Sequence, residues 1–217
     1  MRATATTDSG PVASIQRDER ALPTLTPLWR EIPADLETPV SAYLKLARGR
    51  YGYLLESVEG GERLARYSFV GTEPYLVLRV RDGVAERTWL RGERAGSVTT
   101  QPCADPLEPV RAELDRRRVA HCLDLPRFHG GAVGYLAYEA ACRFEPSVPL
   151  PDDDPLDVPD AVYCFSDTLL IFDHARQRAT LLTHYEEPDM DGSGRAEANA
   201  RLDEMARRLA RPTPSAP

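Results

Sequence analysis

Two hydrophobic periods alternate along the chain. In "TPVSAYLKLARG" the apolar residues Val40, Tyr43, Leu44 and Ala47 recur at helical spacing. Thr38 suits the N-cap, Pro39 suits the first helical position, and Gly49 can close the helix in a left-handed conformation. The period then drops to two. "YGYLLESV" and "ARYSFVG" flank the polar turn "EGGER" and predict a hairpin. "PYLVLRV" and "AERTWLRG" predict a second hairpin around Asp82-Gly83. Helical spacing returns in "DPLEPVRAELDRRRVA", where Leu107, Val110 and Leu114 form the expected buried stripe and the arginines the solvent face. "FHGGAVGYLAYEAACRFE" predicts a buried strand that runs into a short helix at 138–144. "AVYCFSDTLLIFDHARQRATLLTHY" predicts two long antiparallel strands around "DHARQ". The last helix, in "SGRAEANARLDEMARRLA", aligns Ala198, Leu202, Met205 and Leu209. Residues 1–22 and 211–217 are poor in large apolar side chains and predict disordered tails around one folded region, 23–210. Strands in series with few helices specify an α+β fold, mainly antiparallel and sandwich-like, with flanking helices.

Composition narrows the function. The 217 residues are 42% hydrophobic and 28% charged, as in an ordinary soluble globule. The formal charge of -7 opposes non-specific nucleic-acid binding and anionic membrane surfaces. The N-terminus has no apolar leader, and "TLLIF" is too short to span a membrane. Cys103, Cys122, Cys142 and Cys164 show no zinc-ligand spacing and are expected as reduced thiols of a cytoplasmic protein. The four histidines are scattered and define no catalytic set. "GGAVG" lacks the lysine of a phosphate loop, so its glycines indicate close backbone packing. Asp152–Asp154 offers hard oxygen ligands but lacks the alternating spacing of a calcium loop.

The first hairpin carries the most chemistry. Alternation puts Tyr53, Leu55 and Ser57 on one face and Leu54, Glu56 and Val58 on the other. With the Leu55 face toward the core, Ser57 becomes a rim hydroxyl in need of a partner, and Glu56 points outward. Arg66, across the turn, can reach the Ser57 end. A hydroxyl, a strand edge and a guanidinium suit an amino acid, since arginine holds a carboxylate bidentately. The spacing alone leaves a structural hairpin and a small-molecule site both open.

Taken together, "TPVSAYLKL", "YLLESVEGGERLARYSFVGTEPYLVLR", "FHGGAVGYLAYEAACRFE" and "PDAVYCFSDTLLIFDH" resemble the N-terminal region of anthranilate synthase component I, over roughly 25–184. That family converts chorismate to anthranilate with Mg²⁺, using ammonia from a glutamine amidotransferase subunit, and is inhibited by L-tryptophan. The resemblance implies an effector site at Leu55, Glu56 and Ser57, with Arg66 as its basic partner. It implies no catalytic residues in this chain, because the family's chorismate and Mg²⁺ residues lie in a C-terminal region that the resemblance does not reach. The expected fold is then half of a larger two-part structure, with the catalytic region and the amidotransferase as partners. The related aminodeoxychorismate synthase component and a stand-alone amino-acid-binding module are the alternatives.

Overall fold

In the computed structural model, residues 22–57, 66–145, 147–149 and 156–214 are described. Eleven strands form two mainly antiparallel sheets. The first sheet has the order β2-β3-β10-β11-β1-β7. Its strands are β1 (Thr24–Pro33), β2 (Gly52–Glu56), β3 (Tyr67–Thr72), β7 (Arg118–Val119), β10 (Leu169–Asp173) and β11 (Arg178–Glu187). The second sheet has the order β6-β5-β4-β9-β8. Its strands are β4 (Leu76–Arg81), β5 (Val84–Trp89), β6 (Val98–Pro102), β8 (Gly131–Leu136) and β9 (Ala161–Ser166). The helices are α1 (Pro39–Leu46), α2 (Glu108–Leu114), α3 (Ala141–Phe144) and α4 (Ser193–Leu209), with a 3₁₀ turn at Tyr138–Ala140. No described helix is long and apolar enough to cross a membrane.

Helix α1 starts as its sequence directs. Thr38 Oγ1 accepts from Ser41 N at 3.0 Å and Ser41 Oγ accepts from Thr38 N at 2.9 Å, a reciprocal cap. The buried face differs from expectation. Ala42 and Leu46 are buried, whereas Val40 and Leu44 are 51% and 48% exposed. The helix packs on β3 and α4, and the small Ala42 permits that close approach. Helix α1 ends at Leu46; Gly49 is left-handed (φ 69°) but lies beyond the cap at Ala47.

Two cores result. On one face of the first sheet, Leu54, Val70, Leu170, Phe172 and Leu181 meet Ala42 and Leu46 of α1 and Leu202 and Leu209 of α4. The expected α4 stripe is therefore realised, with Met205 at its margin. The second core joins Leu76, Leu78, Val80, Trp89 and Phe165 to Val110 of α2. Here the expected α2 stripe is corrected: Leu114 is 45% exposed and Glu113 is buried. Arg116 and Arg117 neutralise Glu113 at 3.4 and 3.7 Å, so the arginine run is not a plain solvent face. Arg117 also lies over the Tyr75 ring, 5.5 Å from its centroid.

The β4–β5 turn uses Asp82 (φ 50°) and Gly83 (φ 73°), the two left-handed residues that a tight hairpin requires. The predicted long strand at 161–173 is two strands in different sheets. Strand β9 pairs with β4 and β8, and β10 pairs with β3 and β11. The switch falls at Asp167-Thr168. There the Asp167 carboxylate accepts from Arg91 and from Thr168 Oγ1, the latter at 2.9 Å. Burial pushes this carboxyl up, but Arg91 and Arg201 more than offset it and hold it below its ordinary value. Strands β1, β6 and β7 are not predicted by alternation. Pro27 within β1 and the polar Thr-Thr-Gln run of β6 obscure it.

Candidate functional site

Strand β2 is an outer strand of the first sheet. It pairs with β3 from Gly52 opposite Thr72 to Glu56 opposite Ser68, with no bulge. The regular pairing sorts its side chains onto two faces. Leu54, opposite Val70, packs into the helix-side core. The core-facing set is thus Leu54's, not Leu55's, which corrects the expected orientation. Tyr53, opposite Gly71, lays its ring across that glycine; a Cβ on Gly71 would lie 2.1 Å from the Tyr53 ring carbon Cζ. Burial pushes the Tyr53 hydroxyl up to about 12. It stands near Ser166, yet neither hydroxyl makes a hydrogen bond of good geometry.

Leu55 is 39% exposed and pairs with Phe69. Phe69 meets Phe128 edge-on at 5.1 Å and Tyr67 at 6.1 Å. These rings and Leu55 make a partly exposed apolar wall. Ser57 is exposed just past the strand, and alternation returns it to this wall's face. Glu56 is exposed on the opposite, helix-side face, across from Ser68. Ser68 is engaged by His174 Nε2 at 2.7 Å.

Arg66 precedes β3 and has a carboxylate partner within the chain. Its Nε donates to Asp173 Oδ1 at 3.0 Å and its Nη2 to Asp173 Oδ2 at 2.7 Å. The guanidinium also covers the Tyr67 ring at 4.8 Å. Burial pushes the Asp173 carboxyl up, but Arg66 and Arg176 outweigh it and keep it below the usual carboxylate value. A cleft of about 200 Å³ opens beside this pair, lined by Glu31, Arg66, Tyr67, Asp124, Ile171 and Arg178 among others. Arg178 is held by Glu31 at 2.6 Å, and Arg176 donates its backbone N–H to Asp173 Oδ1 at 3.3 Å while its guanidinium stands 3.9 Å from Oδ2.

The structure therefore sets Leu55 and Arg66 beside one aromatic wall, puts the Glu56 side chain on the opposite face, and leaves Ser57 exposed just past the end of β2. Asp173 is the residue that sequence reasoning missed. It sits 107 residues from Arg66, and only the β3–β10 register brings the two together. The turn at 58–65, including Val58, and the candidate cation loop Asp152–Asp154 lie outside the described residues. Among the described residues, no group of three or more His, Cys, Asp or Glu could hold a metal ion.

A second polar cluster lies where the sheets meet. His184 Nδ1 donates to the Asp167 carbonyl at 2.9 Å, which leaves Nε2 to accept from His129 Nδ1 at 3.2 Å. The His184 ring is neutral in this arrangement, and burial lowers the pKa of both histidines from 6.5. Arg201 caps the cluster, donating to Thr183 Oγ1 at 3.0 Å and to the His184 carbonyl at 2.6 Å.

Two mainly antiparallel sheets flanked by helices define an α+β module in which β2 is an outer strand of the first sheet among the described residues. No protein-family model matches the chain. It is 37% identical over 190 residues to anthranilate synthase component 1 of Acinetobacter calcoaceticus, covering 86% of this chain and 37% of that one. It is 39% identical over 159 residues to a probable anthranilate synthase component 1 of Schizosaccharomyces pombe, covering 73% of this chain and 28% of that one. The crystal structure of anthranilate synthase component I from Streptococcus pneumoniae TIGR4 shares the fold, with a TM-score of 0.54 and 22% identity over 84% of this chain and 37% of that chain. The chain belongs to the anthranilate synthase component I family. It spans about a third of the length of these relatives.

Proposed function

We propose that this chain is the regulatory, tryptophan-binding region of an anthranilate synthase component I and acts in the cytoplasm. The observation that supports the reading is the Tyr67–Phe69–Phe128 wall beside Leu55 on outer strand β2, with Arg66 over the Tyr67 ring. An indole can stack on the Tyr67–Phe69–Phe128 surface. The Ser57 hydroxyl supplies a hydrogen bond. Among the described residues Arg66 uses Nε and one Nη2 hydrogen on Asp173, which leaves Nη1 as a donor for a ligand carboxylate. Asp173 and Glu31 supply negative charge for the ammonium. Glu56 takes part through its backbone, because its side chain lies on the other face.

Conversion of chorismate to anthranilate, its Mg²⁺ requirement and the docking of a glutamine amidotransferase belong in this proposal to the assembled enzyme. No catalytic step is assigned to the described residues in this reading. Tryptophan would act by favouring one of two arrangements of this region against the catalytic part. The test joins the chain to a catalytic region and titrates tryptophan against anthranilate formation. Ser57→Ala should weaken inhibition about tenfold or more, as loss of a hydrogen bond to a charged ligand does, whereas Glu56→Gln should leave it near wild type. Unchanged inhibition in Ser57→Ala overturns the assignment.

A further inference from the structure

The buried face of strand β5 reads Ala85, Arg87, Trp89. Ala85 and Trp89 belong to the second core, and Leu78, opposite Arg87 on β4, is fully buried in it. Alternation calls for an apolar side chain at the middle position, and the chain places a guanidinium there. Arg87 is 8% exposed, and it is the only arginine among the described residues that is more than nine-tenths buried. On its other flank stands Thr99 of the outer strand β6, so Arg87 lies between the core and the edge of the sheet.

An arginine at such depth is ordinarily paired. The other inward arginines obey that rule. Arg208 reaches Glu204 at 2.6 Å, Arg91 meets Asp167, and Arg201 donates to the His184 carbonyl at 2.6 Å. Arg87 makes no hydrogen bond and no ion pair among the described residues. None of its nitrogens is sealed from solvent as Arg91 Nε is, so the head keeps an opening outward. A cation held mostly out of water without a counter-charge costs stability. The neighbourhood is charged. The Cys103 thiol, also 8% exposed, feels Glu108, Arg143, Arg87 and Asp105. Asp105 is already engaged by Arg111 Nη1 at 2.9 Å and by the Leu107 N–H at 2.7 Å. Glu108 and Arg143 make no ion pair among the described residues. With Asp105 balanced by Arg111, the group carries one positive charge in excess.

We propose that Arg87 is the floor of a binding site for a singly charged carboxylate, with the exposed Arg143 adding attraction from outside. A planar carboxylate matches the guanidinium fork through two parallel N–H···O bonds. Its single charge balances the excess, and Glu108 on the first turn of α2 repels a second one. The site lies on the second sheet, whereas β2, β3 and Arg66 belong to the first, so it stands apart from the effector reading and does not rest on the family.

The test is an NMR titration of the full chain. The side-chain Nε–Hε signal of Arg87 is identified by its loss in Arg87→Lys. Sodium acetate, with ionic strength held constant by sodium chloride, should shift that signal saturably in the millimolar range, and sodium phosphate should shift it less. Glu108→Gln should tighten acetate binding about threefold and Arg143→Gln should weaken it about threefold, the scale of a partly exposed charge pair. Thermal unfolding gives a second reading. In chloride alone Arg87→Met should be at least as stable as the unsubstituted chain, because it removes an unpaired buried charge. Acetate should raise the unfolding midpoint of the unsubstituted chain and leave that of Arg87→Met unmoved. No saturable shift at Arg87, an equal response to chloride, or acetate binding unchanged in both Glu108→Gln and Arg143→Gln overturns the proposal. So does an Arg87→Met chain that is less stable in chloride or fails to fold, because the arginine then has its counter-charge within the protein. A stronger response to phosphate than to acetate overturns the choice of a carboxylate.

Discussion

Strands β6 and β8 close the same sheet at its two ends, and they solve the edge problem in opposite ways. Strand β6 is exposed at every position and carries threonine, glutamine and proline. Strand β8 is tucked tightly onto β9 and then shows tyrosine, leucine and tyrosine to solvent. The tight seat comes from Gly134: a Cβ there would lie 1.9 Å from the Val162 carbonyl oxygen, a backbone atom that cannot move aside. The lesson is that two edges of one sheet can be equally exposed and differ in side-chain chemistry and in how closely they are seated.

The largest expected effect breaks that rigid seat. Gly134→Ala should cost about 3 kcal/mol, since overpacking against backbone is relieved only by moving the strand. Urea unfolding of the isolated chain measures it; a loss under about 1 kcal/mol would show that β8 is not held as described. Next is Asp167→Asn at the end of β9. It removes the charge that Arg91 and Arg201 face and should cost about 2 kcal/mol, the scale of a charge-assisted hydrogen bond. The same unfolding curve reads it, and a neutral result would mean that the sheet switch does not depend on the ion pair.

A smaller effect comes from pH. His129 leads into β8 and leans on His184. Burial holds both below 6.5, so the unfolded chain binds more protons in the window beneath that value. Their stabilising contribution is present above 6.5 and is lost as pH falls toward the folded-state values. Protonation also removes the acceptor that His184 Nε2 offers to His129. The groups facing them are the Asp167 carboxylate, Arg201 and His121. Unfolding midpoints should therefore drop between about pH 7.5 and about pH 5.5, where histidine titrates, and His184→Asn should flatten that slope. An equally steep slope in the variant would assign it elsewhere. The smallest effect belongs to the other edge. Val98→Lys on β6 should change stability by no more than about 0.5 kcal/mol, as surface substitutions do. A large loss would mean that β6 is not the free edge of the comparison.

Much of the molecule was legible before its structure. The α1 cap at Thr38, the Asp82-Gly83 turn, the α4 stripe and the two-period hairpin at β2 and β3 all follow from the sequence. So does the separation of Leu55 from Leu54 and Glu56 onto opposite faces, because period two dictates it. The orientation of that hairpin was not legible. Leu54 and Leu55 are equally apolar, and only the helices over Val70 decide that Leu54 is the one packed against the core. The α1 face was misread for the same reason. Val40 and Leu44 are larger than Ala42, but α4 approaches from the Ala42 side.

The sequence by itself determined the local devices: caps, left-handed turn residues, alternation and the family to which the chain belongs. These depend on sterics and hydrogen bonds within a few residues, so a short segment contains the whole cause. Tertiary structure alone decided three things. It split 161–173 between two sheets at Asp167, it gave Arg66 its partner Asp173, and it set β6 and β8 at the two ends of one sheet. Each depends on which strand lies beside which, and that is set by the packing of segments far apart in the chain, where no local pattern carries the information.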